Sequence, residues 1–191
     1  MTWIKICGIT TPEDAEMAIE LGASAIGMIF APSRREVTID RARGIAEHVR
    51  GRAEVVGVFK EIETVRAVHE AVGLDRAQIH GPGDPGVSLK VLRAVRPEDL
   101  AHAEDAPEAE EILIDGSEGR GLAFDWSLAR SLRRPFVLAG GLNPSNVEEA
   151  MRAARPRGVD VTSGVEQEPG RKDKDMVARF IEAVRRVDAE R

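Results

Sequence analysis

Strand-like apolar runs alternate with helix-periodic segments from one end of this 191-residue chain to the other. Most of the strand candidates are apolar on both faces, which is typical of buried strands in a parallel sheet. They are Trp3–Cys7, Ser24–Phe30, Glu54–Phe59, Ala77–His80, Leu89–Val95, Glu111–Asp115, Phe136–Ala139 and Val159–Val161. The helix candidates begin near Pro12, Asp40, Ile62, Asp84, Pro97, Asp125, Asn143 and Lys172.

About eight βα units in a chain of this length predict an α/β protein that forms one compact (β/α)8 barrel, the TIM-barrel fold, over residues 1–191. The fourth helix is predicted to be weak, because the segment Pro82–Gly86 leaves room for little more than a turn. A doubly wound open sheet is the structural alternative. That fold normally has fewer strands and a phosphate loop after the first one, whereas the turn Cys7–Pro12 does not have the GxGxxG pattern.

The charge and the cysteine content exclude several classes of protein. The formal net charge of −6 argues against a nucleic-acid binder. The short basic runs Ser33–Arg35 and Arg171–Lys174 fit a solvated surface as well as they fit a functional role. Cys7 is the only cysteine, so neither an internal disulfide nor a cysteine-rich zinc site can form. The four histidines lack the HExxH spacing of a catalytic metal site. No apolar run approaches the ~18 residues of a membrane span, so we expect a cytoplasmic protein.

Two glycine-rich turns near the C-terminus indicate a phosphate site. The segments Leu138–Pro144 and Val159–Glu166 each carry an apolar strand into such a turn, and a helical pattern follows. Glycine leaves backbone N–H groups open to a close ligand, and a helix N-terminus adds partial positive charge. In a (β/α)8 barrel, the loops after strands 7 and 8 form such sockets. The turns therefore predict an enzyme that acts on a phosphorylated small molecule.

Polar side chains stand at the carboxyl ends of several predicted strands, where barrel active sites form. They are Cys7, Arg35, His80, Asp115 and Asp160. Proton transfer at a sugar phosphate needs a base and an acid on opposite sides of the substrate. We expect Cys7 to be the base, assisted by the cation Lys5 on the same strand face, and Asp115 to be the acid. Arg35 offers a planar fork for a substrate carboxylate.

Each of these residues also has a purely structural interpretation. A buried cysteine commonly acts as a small hydrophobe, and Asp115 can cap the turn that follows it. His80 can bond a backbone carbonyl, Arg35 can be a surface cation, and Asp160 can orient the turn after strand 8. The joint position of the five residues at strand ends carries the prediction, rather than any one of them.

Seven ordered motifs cover nearly the whole chain. They are Lys5–Thr10, Gly22–Gly27 leading into Phe30–Arg35, Val56–Phe59, Gln78–Gly81 with Ile114–Asp115, Phe124–Trp126, Leu138–Pro144, and Asp160–Glu166 with Pro169–Asp173. In this order they resemble the phosphoribosylanthranilate isomerase family of tryptophan biosynthesis. The resemblance implies an Amadori rearrangement of N-(5-phosphoribosyl)anthranilate to 1-(2-carboxyphenylamino)-1-deoxyribulose 5-phosphate, with no cofactor and no metal.

The resemblance also implies a role for each site residue. Asp115 matches the family's acid, which protonates the ribose ring oxygen, and Cys7 matches the base, which removes the C2 proton. Arg35 matches the residue that meets the anthranilate carboxylate, Asp160 a position near its amine, and His80 a residue at the same mouth. The phosphate turns match Gly140, Gly141, Ser163 and Gly164. The implied partner is a phosphorylated small molecule, without nucleic acid or membrane, and the chain is expected to be a monomer or homodimer.

Two segments depart from the family pattern. Glu36 follows Arg35 where the family often has an aromatic residue, so it adds a negative charge next to the expected carboxylate site. The loop Gly116–Ala123 is shorter than usual and lacks the common Lys-Thr before Phe124.

Three functions stay open on the sequence. The first is this isomerase, and the second is another phosphosugar barrel enzyme, such as the histidine-pathway isomerase or an aldolase. The histidine-pathway isomerase resembles a design with two catalytic carboxylates, one of them an Asp at the position of Cys7 in this chain. A Schiff-base aldolase needs a lysine at the barrel mouth, whereas Lys5 is expected to lie deeper in the barrel. The third is a non-catalytic barrel that binds a phosphorylated metabolite or a partner protein.

Overall fold

Eight parallel strands close into one barrel in a computed structural model, which describes residues 1–104, 106–108, 110–116 and 124–190. The strands are β1 (Trp3–Cys7), β2 (Ala25–Ile29), β3 (Glu54–Phe59), β4 (Arg76–His80), β5 (Lys90–Val95), β6 (Glu111–Asp115), β7 (Phe136–Ala139) and β8 (Gly158–Val161). Each strand pairs with the next along the chain, and β8 closes the ring on β1 with Lys5 opposite Asp160. The closed barrel confirms the predicted fold class and excludes the doubly wound sheet.

Helices cover the outside of the barrel. They are α1 (Pro12–Glu20), α2 (Ile39–Val49), α3 (Val65–Val72), α4 (Leu100–Ala103), α5 (Val147–Ala154) and α6 (Lys174–Ala189). Thr11 caps α1 by accepting a 3.2 Å hydrogen bond from the Asp14 N–H, and Asp173 caps α6 by accepting one of 2.9 Å from the Met176 N–H. None of the helices in the described ranges combines the length and apolarity needed to cross a bilayer.

Some helix starts differ from the sequence-based positions. The helix predicted near Lys172 begins at Lys174, because a hairpin precedes it that the sequence did not predict, formed by β9 (Glu166–Glu168) and β10 (Arg171–Lys172). The helices predicted near Pro97 and Asp125 are reduced to the four residues of α4 and to the 3-10 turns Pro97–Asp99 and Trp126–Ser131. The predicted short loop Gly116–Ala123 lies outside the described residues from position 117 onward.

The segment between β4 and β5, all of which is described, contains no helix: the weak fourth helix is reduced to turns, in line with the little room that Pro82–Gly86 leaves. Gly81, Gly83 and Gly86 all have positive φ angles, which a right-handed helix does not allow. The Arg93 side chain holds this segment instead. Its guanidinium donates to the Gly81 carbonyl, to the Gly83 carbonyl at 2.7 Å and to Glu110 Oε2 at 2.9 Å. A cavity of about 900 Å³ remains along β5 where a helix would pack.

Side-chain alternation along the strands divides the core into two layers. The inner layer, inside the barrel, includes an apolar cluster of Trp3, Leu92, Ala94, Leu113, Val137 and Ala139. Neighbouring side chains such as Ile4, Ile112 and Leu138 point the other way and join the larger core between strands and helices. Lys5 therefore shares the inner face of β1 with Trp3, as the alternation predicted.

A charged cluster around Trp3 closes the amino-terminal end of the barrel. The guanidinium carbons of Arg76 and Arg157 each lie 5.6 Å from the Trp3 ring centroid. Glu54 accepts from Trp3 Nε1 at 3.0 Å and from Arg76 Nε at 2.7 Å, while Arg76 Nη1 pairs with Glu111 at 2.8 Å. This end is filled by structural contacts, so a substrate site belongs at the opposite end.

The cluster predicts a loss of stability in acid. Burial by itself would raise the pKa of the Glu54 carboxyl, but Arg76 and the Trp3 hydrogen bond outweigh it and hold that pKa below its ordinary value of 4.5. A lowered folded pKa means that the stabilisation is complete above the ordinary value and is lost as the pH falls through the folded one. We expect the free energy of unfolding to fall below about pH 4.5. In Glu54→Gln this decline should be shallower.

Urea unfolding at pH 7 and at successively lower pH measures the effect. Glu47→Gln, at an exposed position of α2, is the matched control and should keep the wild-type pH dependence. Identical pH dependence in Glu54→Gln and wild type would contradict the assignment.

Candidate active site

Cys7 ends β1 with its thiol inside the barrel, close to the Lys5 side chain one pleat below. Gly27 on β2 pairs with Cys7 in the register, and a side-chain carbon built on Gly27 would lie 2.8 Å from Cys7 Sγ and 3.1 Å from Lys5 Nζ. A glycine is therefore required on β2, because any side chain would displace the thiol or the ammonium. Cys7 is 4% exposed, so its thiol is reached only from the barrel mouth.

Lys5 forms a buried ion pair with Asp160 on β8. Lys5 Nζ lies 2.8 Å from Asp160 Oδ1, an ion-pair distance without well-aligned hydrogen-bond geometry, and both side chains are almost completely buried. Burial works to lower the pKa of Lys5, but the charges of Asp160 and of Cys7 outweigh it and raise that pKa. Burial raises the pKa of Asp160 against the opposing effect of Lys5, and the negative charge of Asp115 adds to the rise.

Asp115 ends β6 and faces the same small cavity as Asp160. This cavity of about 30 Å³ is also lined by the backbone of Gly140, Gly141 and Ser163. In the ring of strands, β7 and β8 separate β6 from β1, so Asp115 and Cys7 lie on different sides of the barrel mouth. The structure thus brings the predicted carboxyl group beside the two predicted phosphate turns.

The two glycine turns after β7 and β8 are in direct backbone contact. Gly140 and Gly141 have φ angles of 87° and 69°, conformations that favour glycine. Asn146 fixes this turn by donating to the Gly141 carbonyl at 2.9 Å and accepting from the Asn143 N–H at 2.8 Å. Gly164 packs so closely on the turn that an added side-chain carbon would overlap the Leu142 carbonyl oxygen. Together the two turns form one open surface of backbone.

One part of the phosphate prediction is wrong. The helical pattern expected directly after the second turn is only the 3-10 turn Ser163–Val165, and α6 begins beyond the hairpin at Lys174. The sequence motif Pro169-Gly170 between Glu166 and Lys172 favours a hairpin here, and Gly170 has a φ of 89°. A helix N-terminus therefore supports the first turn only, through α5.

Arg35 reaches the site from the loop after β2, and Glu166 holds it there. The Arg35 Nε and Nη2 groups donate to the Glu166 carboxylate at 2.8 to 3.1 Å. The Arg35 stem crosses Gly8, where a side-chain carbon would lie 2.8 Å from Arg35 Cδ. The interpretation of Arg35 as a surface cation is therefore wrong, since its side chain is only 14% exposed. Glu36 next to it is exposed.

Lys172 is a buried cation that the sequence analysis missed. The basic run left a solvated position as one alternative, but the Lys172 side chain is completely buried, while its neighbour Arg171 is exposed. Lys172 Nζ donates to Glu166 Oε1 at 2.9 Å and to the Thr162 carbonyl at 3.2 Å. Burial lowers the pKa of the Lys172 ammonium, although the nearby Glu166 carboxylate opposes this effect. Burial would raise the pKa of the Glu166 carboxyl, but Arg35 and Lys172 together outweigh it and lower that pKa. Glu166 and Lys172 are opposite each other in the hairpin. An acidic and a basic residue on either side of the Pro169-Gly170 turn were therefore the sequence signal that could have located these two residues.

His80 ends β4 on the side of the mouth that lies away from Cys7. Its Nε2 lies 2.8 Å from Gln78 Nε2, and it lines the 900 Å³ cavity together with Asp115. The structure therefore brings Cys7, Asp115 and Asp160 to one mouth with the glycine turns, and sets His80 at its edge. In the part of the chain that is described, no group of three or more His, Cys, Asp or Glu side chains is arranged to hold a metal ion.

Comparison with known proteins shows the family to which the whole barrel belongs. The family description N-(5'phosphoribosyl)anthranilate (PRA) isomerase matches residues 4–183. The N-(5'-phosphoribosyl)anthranilate isomerase of Desulforudis audaxviator is 41% identical over 202 residues, covering 97% of this chain and 98% of that protein.

Solved structures agree with the family match. The crystal structure of phosphoribosyl anthranilate isomerase from Thermotoga maritima has a TM-score of 0.87 at 38% identity and covers 97% of this chain and 99% of its own. A phosphoribosyl anthranilate isomerase in complex with reduced 1-(o-carboxyphenylamino)-1-deoxyribulose 5-phosphate has a TM-score of 0.86, with the same identity and coverage. Because the match extends over nearly the whole barrel, this chain belongs to the N-(5'-phosphoribosyl)anthranilate isomerase family of tryptophan biosynthesis.

Proposed function

We propose that this chain performs its family's reaction with Cys7 as the general base and Asp115 as the general acid. The reaction is the Amadori rearrangement of N-(5'-phosphoribosyl)anthranilate to 1-(2-carboxyphenylamino)-1-deoxyribulose 5-phosphate. The observation that carries the proposal is a thiol and a carboxyl group on different sides of one mouth, next to two glycine turns in backbone contact. Of the three functions left open by the sequence, the family match favours the isomerase.

The substrate phosphate binds the two glycine turns in this proposal. Gly140, Gly141 and Gly164 have no side chain to block their N–H groups, Ser163 lies between Thr162 and Gly164 in the second turn, and the N-terminus of α5 supports the first turn. Neutral N–H donors bind a dianion without a cation, so the lysines and Arg35 stay available for other charges. With the phosphate fixed here, the ribose extends across the mouth between Asp115 and Cys7.

Asp115 starts the reaction as the acid. It gives a proton to the ribose ring oxygen, the bond from that oxygen to C1 breaks, and the nitrogen lone pair forms the C1–nitrogen double bond of a protonated Schiff base. Asp115 lies in the cavity beside Gly140 and Gly141, so a sugar anchored by its phosphate brings the ring oxygen close to it. Asp160 in the same cavity is assigned to the anthranilate amine.

Cys7 completes the reaction as the base. It removes the C2 proton, the electron pair of that bond forms a C1–C2 double bond, and the resulting enolamine tautomerises to the ketone. The group that accepts this proton is the Cys7 sulfur in its thiolate form. Lys5, Arg35 and Lys172 all lie within electrostatic reach of Cys7. Among the described residues, these three cations form ion pairs with two carboxylates, Asp160 and Glu166, so this side of the mouth keeps an excess of positive charge.

The remaining residues of the site bind the anthranilate half of the substrate in this proposal. Arg35 receives the carboxylate with the guanidinium edge that Glu166 leaves open, and His80, at the edge of the mouth, is assigned to the side of the aromatic ring. No metal or cofactor takes part. The cytoplasmic location and the choice between monomer and homodimer stay predictions.

Removing the acid or the base should abolish most of the turnover without abolishing binding. We expect kcat in Cys7→Ala and in Asp115→Asn to fall at least ~10²-fold, as for other general acids and bases. The loss of anthranilate-type fluorescence measures turnover, and calorimetric titration with the reduced product analogue measures binding. Asp175→Asn, an exposed carboxyl on α6, is the control and should keep full activity. Full activity in Cys7→Ala would remove the thiol from the mechanism.

The contact between the turns predicts a separate effect on substrate affinity. Gly164→Ala forces the turns apart, because the new methyl group overlaps the Leu142 carbonyl. We expect KM to rise about 10-fold or more, since each lost hydrogen bond to a charged group is worth roughly 1.5–3 kcal/mol. Gly44→Ala is the matched control, because a methyl group there meets no atom within 4 Å. An unchanged KM in a folded Gly164→Ala protein would place the phosphate elsewhere.

A further inference from the structure

We infer that Glu166 is a positioning residue for substrate recognition: it holds the Arg35 guanidinium by one edge so that the other edge faces the substrate carboxylate. The inference deepens the proposed function and rests on it, because it takes the carboxylated ring of the substrate as the ligand of Arg35. Glu166 itself need not touch the substrate.

The hydrogen bonds show which edge of Arg35 is occupied. Glu166 accepts from Nε at 3.0 and 3.1 Å and from Nη2 at 2.8 Å, so the carboxylate lies along the side of the guanidinium. No hydrogen bond of the described residues involves Nη1, and Nη2 keeps a second N–H. The end-on edge, formed by Nη1 and Nη2, matches a planar carboxylate with two parallel hydrogen bonds.

Two further hydrogen bonds hold Glu166 in place. Lys172 Nζ donates to its Oε1 at 2.9 Å, and the Gly170 N–H donates to the same oxygen at 3.3 Å. The hairpin that carries these donors is fastened to the first βα loop, since Thr10 Oγ1 donates to the Gly170 carbonyl at 2.6 Å and the Lys172 N–H donates to Asp14 at 3.1 Å. Glu166 thus links the loops after β1, β2 and β8 at one buried point.

The same cluster connects carboxylate recognition to the phosphate turn and to the thiol. Lys172 Nζ also donates to the Thr162 carbonyl, directly before Ser163 of the second glycine turn. The Arg35 stem passes over Gly8, the residue after Cys7, with Thr162 on the same side. A guanidinium released from Glu166 would lose its fixed direction at the end of a flexible side chain, although its charge would remain. We therefore expect Glu166 to determine affinity for the substrate carboxylate more than the affinity for its phosphate.

Two probes separate this role from a merely structural one. The first is reduced 1-(2-carboxyphenylamino)-1-deoxyribulose 5-phosphate, and the second is the same molecule without the carboxyl group. In Glu166→Gln we expect the dissociation constant of the first probe to rise about 10-fold or more, and that of the second to change less than about threefold. In the turnover assay we expect KM to rise more than kcat falls. Glu168→Gln, in the same hairpin but with an exposed side chain, is the control and should bind both probes as wild type does.

A second variant guards against a folding defect. Glu166→Gln leaves Lys172 buried without a counterion, so Glu166→Gln with Lys172→Met removes that charge while still releasing Arg35. Equal weakening of both probes in the folded variants, or no weakening of either, would overturn the inference. The proposed function fails separately if wild type shows no turnover of N-(5'-phosphoribosyl)anthranilate. Wild type that turns over the substrate but binds the two probes equally would overturn the inference alone.

Discussion

The buried pair of Lys5 and Asp160 is the interaction on which the rest of the site depends. It joins the first strand to the last where the barrel closes, because the two residues are also partners in the β1–β8 register. Removing one member of such a pair typically costs about 3–5 kcal/mol, since the other is left charged and buried. Lys5 also lies directly below Cys7, so the contact that closes the ring also sets the charge beneath the thiol.

Close backbone approach is the second constraint, and it explains where glycine is required. Gly27 leaves the space that Cys7 and Lys5 fill, and Gly164 lets the turns after β7 and β8 meet. In both places the functional group fits only because the neighbouring strand or loop has a glycine, which has no side chain. Substitutions at these glycines therefore act on the site without changing any residue that carries chemistry.

The sequence predicted the strands and the residues at their ends more reliably than the contacts between distant segments. Alternation along β1 alone places Lys5 and Cys7 inside the barrel, because a strand has a fixed two-residue period. The contact that holds the turns in place of a fourth helix could not be predicted in this way, since it joins Arg93 to Glu110 from beyond β5. The burial of Lys172 was missed for a different reason: its ammonium partners Glu166 and Thr162 lie nearby in the sequence, but a basic run is normally solvated.

The arrangement of charges fits a substrate with two separate anionic groups. In the proposed reaction the phosphate arrives with about two negative charges and is received by neutral backbone donors, while the carboxylate brings one more and is received by Arg35. A phosphate bound by lysines would instead neutralise the positive charge that lies beside Cys7. Because Lys5 and Lys172 are buried and tied to Asp160 and Glu166, they cannot turn toward the phosphate. Positive charge therefore stays next to the sulfur after the substrate has bound, which is when the C2 proton must be removed.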